Sequence, residues 1–201
     1  MSKRIELEAS YYLDKDYDEI LDKIKKENFK KAEEVTEIDT YYTDKDFTFI
    51  KDRICLRTRQ VNSDFLELTY KPKSDNKSNK YGKREVNIKL LSEDSEDIEY
   101  ILEELGFIKY VSFKKHRKIY SKKIKNIQYN IMIDSINQIG DFIELEILVD
   151  SQEQKEEFYD ELDNFIKKMN CDKLKEKEKP YRDIVKDYSK RINNGKRNYY
   201  K

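Results

Sequence analysis

Ile5-Glu6-Leu7-Glu8-Ala9-Ser10-Tyr11 alternates with a period of two, so an extended chain puts Glu6, Glu8 and Ser10 on one face and Ile5, Leu7, Ala9 and Tyr11 on the other. The alternation returns in Asp141-Phe142-Ile143-Glu144-Leu145-Glu146-Ile147, where Glu144 and Glu146 share a face against Ile143, Leu145 and Ile147. Carboxylates set two apart on one strand repel each other unless a cation neutralises them. These two Glu-x-Glu strands bracket a sheet with one apolar face and one charged face.

The strands between them carry the matching cations. Arg57 and Arg59 share a face in Arg53-Ile54-Cys55-Leu56-Arg57-Thr58-Arg59, and Glu67, Thr69 and Lys71 share one in Phe65-Leu66-Glu67-Leu68-Thr69-Tyr70-Lys71, which Pro72 ends. Lys83, Glu85 and Asn87 alternate in the next segment, Lys115 and Arg117 flank His116, and Asp134 precedes a hairpin turn. The collected face holds the acids Glu6, Glu8, Glu67, Glu85, Asp134, Glu144 and Glu146 and the bases Arg57, Arg59, Lys71, Lys83, Lys115 and Arg117. Laid flat, such a sheet presents an ordinary solvated face. Closed on itself, it sets acids and bases on opposing walls, where carboxylates suit Mg2+ or Mn2+ and Arg and Lys suit phosphate oxygens.

Helical spacing appears at Ile20, Leu21 and Ile24 and again at Phe158, Leu162, Phe165 and Ile166. A further helix starts at Ser92-Glu93-Asp94-Ser95 and stops near Gly106, and a short one begins at Pro180. Strands are expected near 107–121, 126–134 and 140–149, so the class is α+β with an antiparallel sheet. The 201 residues suit one domain over 1–189, followed by a basic flexible tail at 190–201.

Lys plus Arg and Asp plus Glu both number 42, so no net field draws the chain to nucleic acid or to an anionic membrane. The 16 tyrosines read as strand formers rather than as a base-stacking channel. No apolar run approaches the roughly 20 residues that span a bilayer. Two cysteines, Cys55 and Cys171, suit a reducing cytoplasmic setting. The single histidine, His116, cannot build a His-rich zinc site or a Ser-His-Asp triad without distant partners and is expected on the strand surface.

Taken in order, Glu6-Leu7-Glu8-Ala9-Ser10, Asp39-Thr40-Tyr41-Tyr42, Leu56-Arg57-Thr58-Arg59, Leu68-Thr69-Tyr70-Lys71, Lys83-Arg84-Glu85, Lys115-His116-Arg117 and the run from Asp134 to Glu146 resemble successive motifs of the CYTH superfamily. These are triphosphate tunnel metalloenzymes that include class IV adenylate cyclases and thiamine triphosphatases. Lys179-Pro180-Tyr181-Arg182-Asp183-Ile184-Val185 is similar to the terminal segment of the class IV cyclase branch. The resemblance implies a closed antiparallel barrel of about eight strands with helices packed outside. It implies that Arg57, Arg59, Lys71, Lys83, Lys115 and Arg117 hold a triphosphate. Glu6, Glu8, Glu144 and Glu146 are the implied catalytic acids and, with Asp134, the ligands of Mg2+ or Mn2+, with Glu67 and Glu85 in support. ATP is the implied substrate, with cyclic AMP and pyrophosphate as products; hydrolysis of inorganic, thiamine or nucleoside triphosphate is the alternative. One departure stands out, since the lysine of the Glu-x-Glu-x-Lys motif is Ser10, which leaves a triphosphate sensor as a third reading. A homodimer is compatible with the resemblance.

Overall fold

The computed structural model describes residues 4–13, 16–73, 85–150 and 155–198. Its strands are β1 (Arg4–Tyr12), β2 (Lys30–Thr43), β3 (Cys55–Val61), β4 (Phe65–Lys71), β5 (Val86–Leu91), β6 (Ile108–Ile124), β7 (Ile127–Ile136) and β8 (Gly140–Asp150). Its helices are α1 (Tyr17–Lys26), α2 (Thr48–Lys51), α3 (Ser95–Glu104), α4 (Lys155–Lys168) and α5 (Tyr181–Asn198). The strands form an eight-stranded sheet in the order β1-β8-β7-β6-β2-β3-β4-β5, and every ladder is antiparallel. The two Glu-x-Glu strands, far apart in sequence, are therefore neighbours, with Glu8 paired to Glu146 and Ser10 to Glu144.

Tight turns set these registers. Asn62 and Ser63 take positive φ between β3 and β4, and the Asn62 side chain accepts a hydrogen bond from the Thr36 N–H at 2.8 Å. Gly106 follows α3 at φ +89°, the left-handed exit that a glycine takes without strain. The long pairing of β2 with β6 is interrupted between Lys31 and Glu33 and between Tyr41 and Tyr42, irregularities of the kind that bend a sheet.

The sheet curls. Glu6 at one end of the strand order feels the charges of Lys71 on β4 and of Glu85 beside β5 at the other end. Among the described residues no ladder joins β1 to β5, so the two edges face each other across an unpaired seam.

On the convex side, Leu7, Ala9, Ile131, Ile133, Ile143, Leu145 and Ile147 pack against Ile20 and Ile24 of α1 and Leu162, Phe165 and Ile166 of α4. Each such fully buried aliphatic side chain contributes on the order of 2 kcal/mol. Tyr42 and Leu56 form a second cluster with Leu102 of α3. The third cluster lies on the concave side. Tyr41, Phe113 and Phe142, each two residues from a charged position on the same face of its strand, meet Tyr181 and Val185 of α5. Not every helix is thus outside the sheet, because α5 closes one end of its concave face.

The short last helix expected from Pro180 is 18 residues long, and residues 190–198, expected as a flexible tail, are its final turns. Tyr181 and Val185 anchor the helix, and once it is nucleated the good helix formers Lys186, Lys190 and Arg191 help to propagate it. Residues 199–201 lie outside the described residues. Among the described residues no helix is long and apolar enough to cross a membrane.

Candidate functional site

The registers set opposite charges side by side along most of the concave face. Asp39 on β2 faces Arg59 on β3, Arg59 faces Glu67 on β4, Glu37 faces Lys115 on β6, and Arg117 faces Asp134 on β7. Side chains follow this map. Arg59 forks onto Asp39, with Nε donating at 2.6 Å and Nη2 at 2.8 Å, and its Nη1 reaches Glu37 at 3.2 Å. Arg117 forks onto Asp134 at 2.6 Å from both Nε and Nη2, and Nη2 also donates to Glu144 at 2.6 Å. Planar bidentate contacts of this kind lock both partners.

The protonation states follow from these contacts. Burial alone would push the Asp39 carboxyl up, but Arg59 and Arg57 hold it well below the usual carboxylate range. Glu144 is likewise held low, because Arg117, Lys177 and Lys115 outweigh its burial. Burial and the nearby Arg117 draw the Lys115 ammonium down.

Among the described strand residues of the charged face, two buried cations keep unused donor capacity. Arg57 gives Nη2 to Thr69 at 3.1 Å, yet its Nε finds no hydrogen-bond acceptor among the described residues. Lys115, fully buried, sits 2.8 Å from Glu37 and 3.5 Å from Asp134 as an ion pair whose geometry leaves its Nζ without a hydrogen bond. Buried donors are almost always satisfied, so these cations have donor capacity that an anion could use. Lys71 reaches the same wall and is paired with Glu85 at 2.5 Å.

The seam strands carry the opposite imbalance. Glu6 is pushed up to about 8 by burial and by Glu146, Glu8 and Glu85. Burial also raises Glu146, whose Oε1 accepts from Asn130 at 2.7 Å. The Glu8 carboxyl is raised by burial within the sheet and by the nearby Glu144 and Glu146, against the lowering effect of Lys71 and Lys177. Like charges directly opposite in a ladder destabilise it, so Glu8 facing Glu146 calls for a cation.

All donors at this end are oxygens, which suits a hard divalent ion. Among the described residues no three carboxylates already converge as a formed metal site. Asp134 stands apart from the seam acids, since its oxygens accept from Arg117 and from the Tyr181 hydroxyl at 2.8 Å. Glu67 lies 3.7 Å from Arg57, and Lys83 lies outside the described residues. His116 points away from this face and lies 3.0 Å from Glu34.

Several residues of the site escape the sequence reading. Glu37, which lies in none of the motifs, and Asp39, which lies only within one, share a face of β2 with Val35 and Tyr41, and the mixture of apolar and acidic residues on that face blurs the period-two signal. Thr69 and Asn130 also bond within the site. Lys177 arrives from the connection before α5, where no periodicity announces it. Its Nζ lies 3.7 Å from Glu144 and 4.1 Å from the centre of the Tyr181 ring.

Known proteins share this architecture. A protein named "Putative adenylate cyclase MJ0240" from Methanocaldococcus jannaschii is 29% identical over 170 residues, 84% of this chain and 91% of the relative. A structure described as a putative adenylate cyclase from Vibrio parahaemolyticus superposes with a TM-score of 0.70 at 19% identity, covering 90% of this chain and 97% of its own. A Hippeastrum protein described as a putative adenylyl cyclase with a dominant triphosphatase activity superposes at 0.59 and 13% identity, covering 84% and 88%. The sequence profile of the CYTH domain matches residues 3–181, and the chain belongs to the CYTH domain family.

Proposed function

We propose that this chain is a metal-dependent enzyme that acts on a triphosphate, with the curled sheet closing around it as a tunnel. Conversion of ATP to cyclic AMP and pyrophosphate is the primary reading. One observation carries the proposal: the same face joins Arg57, whose buried Nε lacks an acceptor among the described residues, and Lys115, held by ion pairs alone, to the crowded carboxylates Glu6, Glu8 and Glu146, whose protons burial and mutual repulsion retain. A polyanion with its divalent ion answers both needs. The named M. jannaschii relative supports the cyclase reading.

In this reading Arg57, Lys71 and Lys115 bind phosphate oxygens, while Arg59 and Arg117 stay anchored on Asp39 and Asp134 and keep the wall rigid. Tyr181, Phe142 and Phe113 exclude water from the α5 end. Glu6, Glu8 and Glu146, with Glu144 beside them, would hold Mg2+ or Mn2+. Such an ion supplies neutralisation of phosphate charge and a lower pKa for an attacking hydroxyl. Positioning and charge complementarity then account for catalysis, and no side-chain nucleophile is required.

Hydrolysis is the second reading, favoured by the activity described for the Hippeastrum protein. The two differ in whether the ribose 3′ oxygen attacks the α-phosphorus or water attacks the γ-phosphorus. Chromatography of products from ATP, and separately from inorganic triphosphate, with Mg2+ or Mn2+ and Glu146→Ala as control, decides. Cyclic AMP with pyrophosphate is expected; orthophosphate instead selects hydrolysis. Neither product, with no triphosphate binding by calorimetry, rejects the proposal, whereas binding without turnover makes the chain a sensor.

A further inference from the structure

The connection before α5 runs beside the outer edge of β1. Tyr12 N–H donates to the Lys175 carbonyl at 2.9 Å, Lys177 N–H donates to the Ser10 carbonyl at 2.8 Å, and Tyr11 pairs with Glu176. Residues 175–177 thus form a short strap on the seam edge of β1, next to its Glu-x-Glu pair. The strap turns the Lys177 side chain inward, where it is only 8% exposed. The side chain lies over the Tyr181 ring and its Nζ is 3.7 Å from Glu144 Oε1, an oxygen that also accepts from the Ser10 hydroxyl at 3.3 Å.

A buried lysine is costly to desolvate, and at 3.7 Å the contact with Glu144 Oε1 is too long for a hydrogen bond, while Arg117 holds the other oxygen, Oε2, at 2.6 Å. The ammonium therefore retains donor capacity toward the interior. Its charge reaches both Glu8 and Glu144, which places it at the acid end of the site. The other cations of the concave face are anchored on the sheet itself, but this one comes from the strap.

We propose that Lys177 is a substrate-binding cation, delivered by the strap to the side of the site where Ser10 offers only a hydroxyl, and that it grips a phosphate oxygen of the bound triphosphate. This assignment rests on the triphosphate reading above. Ser10 and Lys177 are joined through backbone and through Glu144, so a lysine placed at position 10 would project its ammonium into the same region. The pair is interchangeable in function though not in sequence position.

The test is calorimetric binding of inorganic triphosphate, with Mn2+, to wild type, Lys177→Met and Ser10→Lys/Lys177→Met, with the fold of each checked by thermal unfolding. Methionine keeps the apolar stem over Tyr181 and removes the charge. Loss of one charge-assisted contact should weaken binding about ten- to a hundredfold, and Ser10→Lys should restore most of it. Restoration from another strand is a result that repaired strap packing would not give. Unchanged binding by Lys177→Met, or no recovery in the double variant, overturns the assignment. So does stronger Mn2+ binding by Lys177→Met with unchanged triphosphate affinity, which would make Lys177 a counter-charge only. If Lys177→Met fails to fold, the lysine side-chain resonances of the wild-type protein decide, with Lys177 assigned through Lys177→Arg. A Lys177 signal that moves on adding triphosphate supports the role, and an unmoved one removes it. A wild-type protein that binds no triphosphate rejects the proposed function itself, and that failure is distinct from a defect confined to Lys177.

Discussion

Replacing Glu6 by glutamine should stabilise the metal-free protein at alkaline pH. Glu6 has an ordinary value of 4.5 and a folded value of about 8, because burial and the neighbouring Glu146 and Glu8 disfavour its charge. Below 4.5 the group is protonated in both folded and unfolded chains, so its full contribution is present. As the pH rises toward 8 the unfolded chain has released the proton while the folded one holds it, and stability falls. A shift of that size corresponds to about 5 kcal/mol at most, shared among coupled carboxylates rather than owned by Glu6 alone. The neutral amide of the variant mimics the protonated carboxyl. Urea unfolding in EDTA between pH 5 and 8.5 should therefore show wild type losing a few kcal/mol that Glu6→Gln keeps, and Mn2+ should rescue wild type more than the variant. Parallel profiles, or a variant less stable than wild type at pH 8.5, would refute the reasoning that these carboxylates are held together against their repulsion.

Other outcomes test the wall. Arg117→Ala strands Asp134 and Glu144 in a buried site, which should cost about 3–5 kcal/mol in urea unfolding; a loss under 1 kcal/mol would mean that solvent reaches those acids. Tyr181→Phe keeps the ring against Phe142 and removes the hydroxyl donor to Asp134, for an expected loss of about 1–2 kcal/mol read from the unfolding midpoint. Asp39 is held below its ordinary 3.8, so its stabilisation is present above that value and fades as the pH falls through the depressed folded range. Circular dichroism from pH 5 to 2 should show a shallower acid transition for Asp39→Asn, and an unchanged one would argue that Arg59 does not hold the carboxylate.

Much of this was legible in the chain. Period-two alternation correctly separated Glu6 and Glu8 from Leu7 and Ala9, and Glu144 and Glu146 from Leu145 and Ile147. The same rule places Glu37 and Asp39 together on one face of β2; Asp39 stands in a motif of the resemblance without a place on the charged face, and Glu37 is in no motif. Lys177 lay beyond any such rule. It occupies a connection whose conformation depends on hydrogen bonds to Ser10 and Tyr12, at the opposite end of the chain. The length of α5 was also missed, because its anchor at Tyr181 is the aromatic pocket of Phe113 and Phe142, which are remote in sequence.

The amino-acid sequence by itself determined which side chains share a face, since the direction of a side chain in a strand depends only on local backbone geometry. Tertiary structure decided which acid meets which base. The resemblance groups Asp134 with the seam carboxylates, and register sets it under the Arg117 fork and the Tyr181 hydroxyl, while Glu6, Glu8 and Glu146 crowd at one end. That sorting depends on strand order, sheet curl and burial. All three arise from long-range pairing and packing, which a local alternation pattern does not encode.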